Sequence, residues 1–172
     1  MKTEHLLNIK AEDAPGLLNR VLIMLSRRRL EVKTVTMART DISCVVMISI
    51  ELSIEPEAIQ NLKLQLEKII EVFSAEAIAC TSAVLQKLAL YKLSNAILKE
   101  PQAAFIQKYG ADIVSLYPDC FVISKSGNSM IINELYRMLE GKFLLGFAQT
   151  GSIADTPFLE SNDEWRISKL AA

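Results

Sequence analysis

Histidine is almost missing from this chain: His5 is the single one in 172 residues. No histidine-based triad and no multi-histidine metal site can therefore be assembled within one copy. Near the terminus on a first strand, His5 reads as a plain surface residue. Cysteine is scarce and odd in number. Cys44, Cys80 and Cys120 lie far apart, each in an apolar segment, which suits three buried thiols in a reducing compartment rather than a disulfide framework. Aromatic residues make up 6% and form no stacking stripe for single-stranded nucleic acid. A formal net charge of −1 and a pI near 5.9 give no global field that would attract nucleic acid or an anionic membrane. The one basic cluster, Arg27-Arg28-Arg29, falls where a helix ends and complements its dipole. No apolar run approaches the ~20 residues that cross a bilayer. The start, Met1 to His5, has neither the apolar core nor the cleavage site of a secretory signal, so a cytoplasmic location is expected. No nucleophile elbow and no phosphate cradle ending in Lys-Ser is present. Lys125-Ser126-Gly127-Asn128-Ser129 precedes a helix, where its amides could meet an anion, but a loop with an N-cap describes it. Nothing here looks catalytic.

What is present is a well-patterned apolar chain. Hydrophobic residues amount to 51% and charged ones to 23%, enough for one domain or two small ones. Glu4 to Lys10 alternates as a strand. The turn-rich Ala11 to Gly16 leads into a helix whose Leu18, Val21, Leu22 and Leu25 recur at helical spacing. Asp13 is placed as its N-cap, and Pro15 sits where a missing N–H does no harm. Glu31 to Ala38 and Ser43 to Leu52 are strands joined by a turn at Arg39-Thr40-Asp41. Pro56 opens a second helix with Ile59, Leu62, Leu66 and Ile69 on one side, and Val72 to Cys80 is a fourth strand. This β-α-β-β-α-β order makes a ferredoxin-like sandwich.

The order returns after Thr81-Ser82-Ala83. Leu85 to Leu93 is a strand, Ala103 to Ile106 lies in a helix stopped by Gly110, and Ala111 to Tyr117 with Cys120 to Ser124 forms a hairpin around Pro118-Asp119. Ser129 to Leu139 is a helix with Ile131, Leu135 and Leu139 on one face and Gly141 as its C-cap. Phe143 to Ile153 closes the unit. The expected fold is α+β, two consecutive ferredoxin-like βαββαβ units over 1–80 and 81–154, with 155–172 a polar tail in which Phe158 and Trp165 are candidates to dock.

The loop from Glu12 to Leu18 carries most of the chemistry. The first turn of a helix presents unpaired N–H groups with a partial positive charge, a receptor for a carboxylate. Gly16 lets a ligand approach without a β-carbon in the way. The Asp13 oxygen would accept from an ammonium group. Together they suit an α-amino acid. The plainer reading also holds at this point: Asp13 caps the helix and Pro15-Gly16 turns the chain.

Asp13-Ala14-Pro15-Gly16-Leu17-Leu18, between a strand and an amphipathic helix, resembles the ligand loop of ACT domains. Leu25 to Val32, Leu66 to Val72, Leu90 to Leu93 and Ala111 to Val114 are similar to segments of the acetolactate (acetohydroxyacid) synthase small subunit, and the likeness runs from about Glu4 to Ile153. That resemblance implies a non-catalytic regulatory subunit that binds a branched-chain amino acid, typically valine, between paired ACT modules. It further implies a catalytic large subunit as partner, which carries the thiamine diphosphate, FAD and magnesium. Carried over, the effector positions are Asp13, Gly16, Leu17, Leu18, Glu31 and Val32. The chain departs from the family in having Asp13 and Glu31 where Asn is usual, Arg29 where Gly is usual, and Val46-Met47 in place of a Ser-Arg pair. A free-standing ligand-binding or assembly module without a synthase partner is the alternative.

Overall fold

Alternating apolar side chains on the first strands have to be covered by something, and two helices of the same unit do so. The structure, a computed structural model, describes residues 2–81 and 84–154. In chain order the first unit is β1 (Thr3–Glu12), α1 (Leu17–Arg27), β2 (Glu31–Arg39), β3 (Val45–Ile54), α2 (Pro56–Leu66) and β4 (Val72–Ala79). Its sheet has the order β2-β3-β1-β4, antiparallel throughout. Leu7, Ile9 and Ala11 on β1 and Val46, Ile48, Ile50 and Leu52 on β3 meet Leu17, Val21 and Leu25 of α1 and Ile59, Leu62 and Leu66 of α2 in one core. Each such leucine or isoleucine contributes about 1.5–3 kcal/mol on burial.

The second unit repeats the plan: β5 (Leu85–Ser94), a 3-10 turn over Asn95–Lys99, α3 (Ala103–Lys108), β6 (Asp112–Leu116), β7 (Cys120–Gly127), α4 (Ser129–Leu139) and β8 (Leu144–Gln149). The strand order is β6-β7-β5-β8, the same topology. Tyr91, Leu93, Phe121, Ile123, Ile132 and Leu135 form its core. Tyr91 is fully buried, and its hydroxyl donates to the Ile132 carbonyl at 2.9 Å. Burial pushes the Tyr91 phenol up to about 12.

Four expectations need correction. His5 is not a surface residue: it is 8% exposed, because β1 lies between β3 and β4 and is covered on both faces. The cysteines are not all buried. Cys44 is exposed in the β2–β3 turn with φ 60°, Cys80 and Cys120 are half-buried at strand ends, and all three thiols are free. The α4 face is centred on Ile132, Leu135 and Leu139 rather than Ile131. The closing strand is not continuous. β8 ends at Gln149, and a separate β9 (Ile153–Ala154) pairs with Leu85 and Gln86 at the start of β5. Between them Thr150 stays bonded to Leu88 of β5, while Gly151 crosses close to Thr34 and Thr36 of the first sheet. The tail candidates Phe158 and Trp165 lie outside the described residues.

That crossing ties the units together. The face of the first sheet away from its helices is buried at Leu6, Asn8, Ser49 and Glu51. Ser49 Oγ donates to Asn8 Oδ1 at 2.8 Å on this face. A β-carbon on Gly151 would lie 2.6 Å from Thr36 Oγ1 and 3.0 Å from Thr34 Oγ1, so a residue without one is needed there. Lys87 of β5 pairs with Glu51 of β3 at the same junction.

Candidate functional site

The loop between β1 and α1 is fixed from below by its own backbone. The Glu12 amide donates to the Glu71 carbonyl, the Asp13 amide to the Cys44 carbonyl and the Ala14 amide to the Glu12 carbonyl, each at 2.8 Å. Arg20 of α1 and Glu71 ahead of β4 form an ion pair that braces the same corner. Held this way, the chain enters the helix through Gly16, which is the N-cap with φ 81°. An L-residue is disfavoured at that angle. Among the described residues nothing lies within 4 Å of where its β-carbon would be, so they leave the ground above the helix start open.

Asp13 does not cap α1. No described side chain caps this helix, and the N-cap falls three residues later than the sequence suggests. Pro15 accordingly precedes the cap instead of occupying the first helical position. The Leu17 amide reaches the Ala14 carbonyl at 3.2 Å. Among the described residues, the Gly16, Leu18 and Asn19 amides find no carbonyl acceptor and no capping side chain. Their partial positive charge is aimed outward beside a glycine. The plain capping reading of Asp13 is thereby removed, while the turning role of Pro15-Gly16 stands.

The Asp13 carboxylate instead accepts from Arg39 Nε at 3.2 Å. Arg39 ends β2 and is 85% exposed; the Asp13 side chain is 33% exposed. Nothing in the sequence marked Arg39, 26 residues away in the chain. Only the hairpin register, which sets Arg39 opposite Val46 and Val46 opposite Ala11, brings it to the loop. A hollow of about 410 Å³ bounded by Asp13, Arg39, Thr40 and Ser43 to Val45 lies beside this pair.

Four of the six candidate positions, Asp13, Gly16, Leu17 and Leu18, gather at this corner. Of these, Leu17 points inward and is fully buried, so only its backbone faces the loop. Glu31 and Val32 do not join them. They pair with Ser53 and Leu52, which in turn face Glu4 and His5 at the far end of the sheet. Eight strand steps from Glu31 to Arg39 span roughly 26 Å. Within one chain the site is in two pieces.

Arg29 takes the left-handed conformation, φ 53°, at the end of α1. The Arg29 amide bonds the Ser26 carbonyl and the Leu30 amide the Leu25 carbonyl, a Schellman closure in which this position ordinarily holds glycine. Val46 is a core residue at 1% exposure, and so contributes packing here. Among the described residues no group of three His, Cys, Asp or Glu side chains is placed to hold a metal, and no helix is long and apolar enough to cross a membrane.

Comparison with known proteins agrees with the fold. Residues 13–75 match the family profile of the ACT domain, and residues 86–155 match that of the small subunit of acetolactate synthase. The chain is 25% identical over 151 residues to the acetolactate synthase small subunit of Mycobacterium bovis, covering 87% of this chain and 90% of that one. It is 26% identical over 153 residues to the small subunit of Bacillus subtilis, covering 88% and 89%. The crystal structure of the acetolactate synthase small subunit from Thermotoga maritima has the same fold, with a TM-score of 0.81 at 19% identity over 88% of this chain and 96% of that one.

Proposed function

The chain belongs to the acetolactate synthase small-subunit family, and on that premise we propose that it is a non-catalytic regulatory subunit. In this reading it binds a valine-like amino-acid effector at an interface between paired ACT units and modulates a separate catalytic subunit. The supporting observation is the open start of α1: unbonded amides at Gly16, Leu18 and Asn19, cleared of side chains by a glycine at φ 81°. A carboxylate seated there accepts several N–H bonds and the favourable end of the helix dipole. Asp13 next to it accepts from the effector's ammonium group, and Arg39 offsets the carboxylate charge that would otherwise repel the effector's own.

The distance between Asp13 and Glu31-Val32 calls for a second copy. Among the described residues β2 is an edge strand, paired with β3 alone, with Val35 and Met37 partly exposed along it. Exposed edges tend to be covered by pairing. Two copies joined antiparallel along β2 would bring Glu31 and Val32 of one to Arg39 and Asp13 of the other, completing the six positions. The effector would then act by favouring one subunit arrangement through differential affinity. Thiamine diphosphate, FAD and magnesium belong, in this reading, to the catalytic partner.

The Asp13–Arg39 pair also favours a second reading, a free-standing ligand-binding or assembly module. An ion pair inside the loop neutralises the group that would meet the ammonium, and no other described feature requires a synthase. The two readings separate on one experiment. The rate of the acetolactate synthase catalytic subunit from the same cell is measured alone, with this chain, and with added valine, leucine or isoleucine. A change of rate on adding the chain, altered again by one of the amino acids, is expected; no effect in any condition would eliminate the regulatory role.

A further inference from the structure

Strand β2 separates two surfaces by the thickness of one backbone. Its core-side residues Val35, Met37 and Arg39 register with Ile50, Ile48 and Val46, and they carry the outer edge and the Asp13 contact. The alternate residues Thr34 and Thr36 register with Glu51 and Ser49 on the opposite face, and that face is where the second unit rests. The contact there is close. Gly151 lies so near Thr36 that a methyl group would come within 2.6 Å of its hydroxyl oxygen. Beside it, Lys87 reaches Glu51 at 3.1 Å with both side chains 10% exposed, and Ser152 is 1% exposed.

Gly151 sits in the short crossing between β8 and β9, and that crossing is tied into the second sheet on both sides. The Thr150 amide donates to the Leu88 carbonyl at 2.9 Å and the Leu88 amide to Thr150 Oγ1 at 3.0 Å, while β9 pairs with Leu85 and Gln86. β2 for its part is an edge strand of the first sheet, as β4 is, and among the described residues it is strand-paired with β3 alone. Tightly packed contacts do not stretch; they move together or break.

We propose that Gly151 against Thr34 and Thr36 is the coupling contact of the molecule, passing a displacement of β2 into the second unit. Because the ends of β2 contribute Arg39 and Val32 to the effector site, this inference rests on the reading of that site for its biological input. The absent side chain at 151 is what permits the contact. Arg39 and Met37 report the edge of β2, Thr36 transmits, and the Thr150–Leu88 bonds receive.

The test runs first without ligand. Hydrogen exchange of the Thr150 and Leu88 amides is followed in the full chain, with Met37→Lys as a perturbation on the outer edge of β2. In the wild-type background Met37→Lys is expected to change exchange at these amides about five-fold, and in a Gly151→Ala background by less than about two-fold. Equal changes in both backgrounds, or none in either, would overturn the proposal. Should Gly151→Ala fail to fold, Thr34→Ala with Thr36→Ala opens the same contact from its other side and carries the same expectation. A second arm adds valine, leucine or isoleucine. An amino acid that binds should alter Thr150 and Leu88 exchange in the wild type and not in Gly151→Ala. If none binds, the effector reading fails while the first arm still decides whether β2 and the second unit are coupled.

Discussion

Lys87 and Glu51 form an ion pair at 3.1 Å between the two units, each side chain only 10% exposed. Burial disfavours the charged form of Glu51, but the Ser152, Lys87 and Thr34 side chains and the Lys87 charge outweigh it and hold the carboxyl below its ordinary range. Removing one partner leaves the other buried and unpaired. Lys87→Met should therefore cost about 3 kcal/mol in chemical denaturation, whereas Glu51→Leu with Lys87→Leu should be close to neutral. Equal losses in both variants would mean that packing, not charge, holds the junction.

The same pair gives an acid limb. With the folded-state value of Glu51 depressed, the unfolded chain binds the proton first as pH falls, so stability from this group is complete above the ordinary glutamate range. It is lost as pH drops through that range toward the folded value. Stability measured against pH should decline there in the wild type, and less steeply in the double leucine variant.

Arg29 offers a stabilising change. Its φ of 53° in the closure of α1 imposes strain that glycine does not feel. Arg29→Gly should raise stability by about 0.5–1 kcal/mol, since the residue it replaces lies outside the helix body. A loss on this substitution would show that the arginine side chain makes a compensating contact.

Tyr91 should mark the alkaline side. Tyr91→Phe removes the bond to the Ile132 carbonyl and should cost about 1 kcal/mol. In the wild type, the folded value near 12 exceeds the ordinary 10.0, so the unfolded chain releases its proton first as pH rises. Stability from Tyr91 is whole below 10.0 and lost between 10.0 and about 12. The phenylalanine variant should lack that component when melting is followed against pH.

Asp13 separates stability from binding. Its pair with Arg39 is exposed on the arginine side, so Asp13→Asn should change stability by no more than about 0.5 kcal/mol. The same change replaces a charged acceptor by a neutral one and should weaken effector binding about five-fold. Unchanged affinity would assign the ammonium contact to another group.

Much of this was legible in the chain because local patterning and burial agree. The alternation of Leu7 and Ile9, the helical spacing of Val21 and Leu25, and Pro56 at the start of α2 each point to the element that forms. The duplicated β-α-β-β-α-β order followed from them. What could not be read depends on contacts distant in sequence. Arg39 meets Asp13 only through the β2–β3 register. His5 is buried because β4 returns to the far side of β1, 74 residues later at Ala79. The cap falls at Gly16 instead of Asp13, whose amide is bonded to the Cys44 carbonyl and whose carboxylate is bonded to Arg39, both distant in the chain. The break after Gln149 is set by the sheet of the other unit, to which Gly151 must fit.

Calorimetric titration of the full chain with valine, leucine and isoleucine, wild type beside Gly16→Ala, is the most direct test of the amides at the head of α1. Gly16→Ala should cost about 1 kcal/mol in stability from backbone strain alone, because its β-carbon meets nothing. The expected result is saturable binding of at least one of the three amino acids, one per chain, sharply weakened in Gly16→Ala. No heat of binding from any of them up to about 10 mM, or equal binding by both proteins, would contradict it.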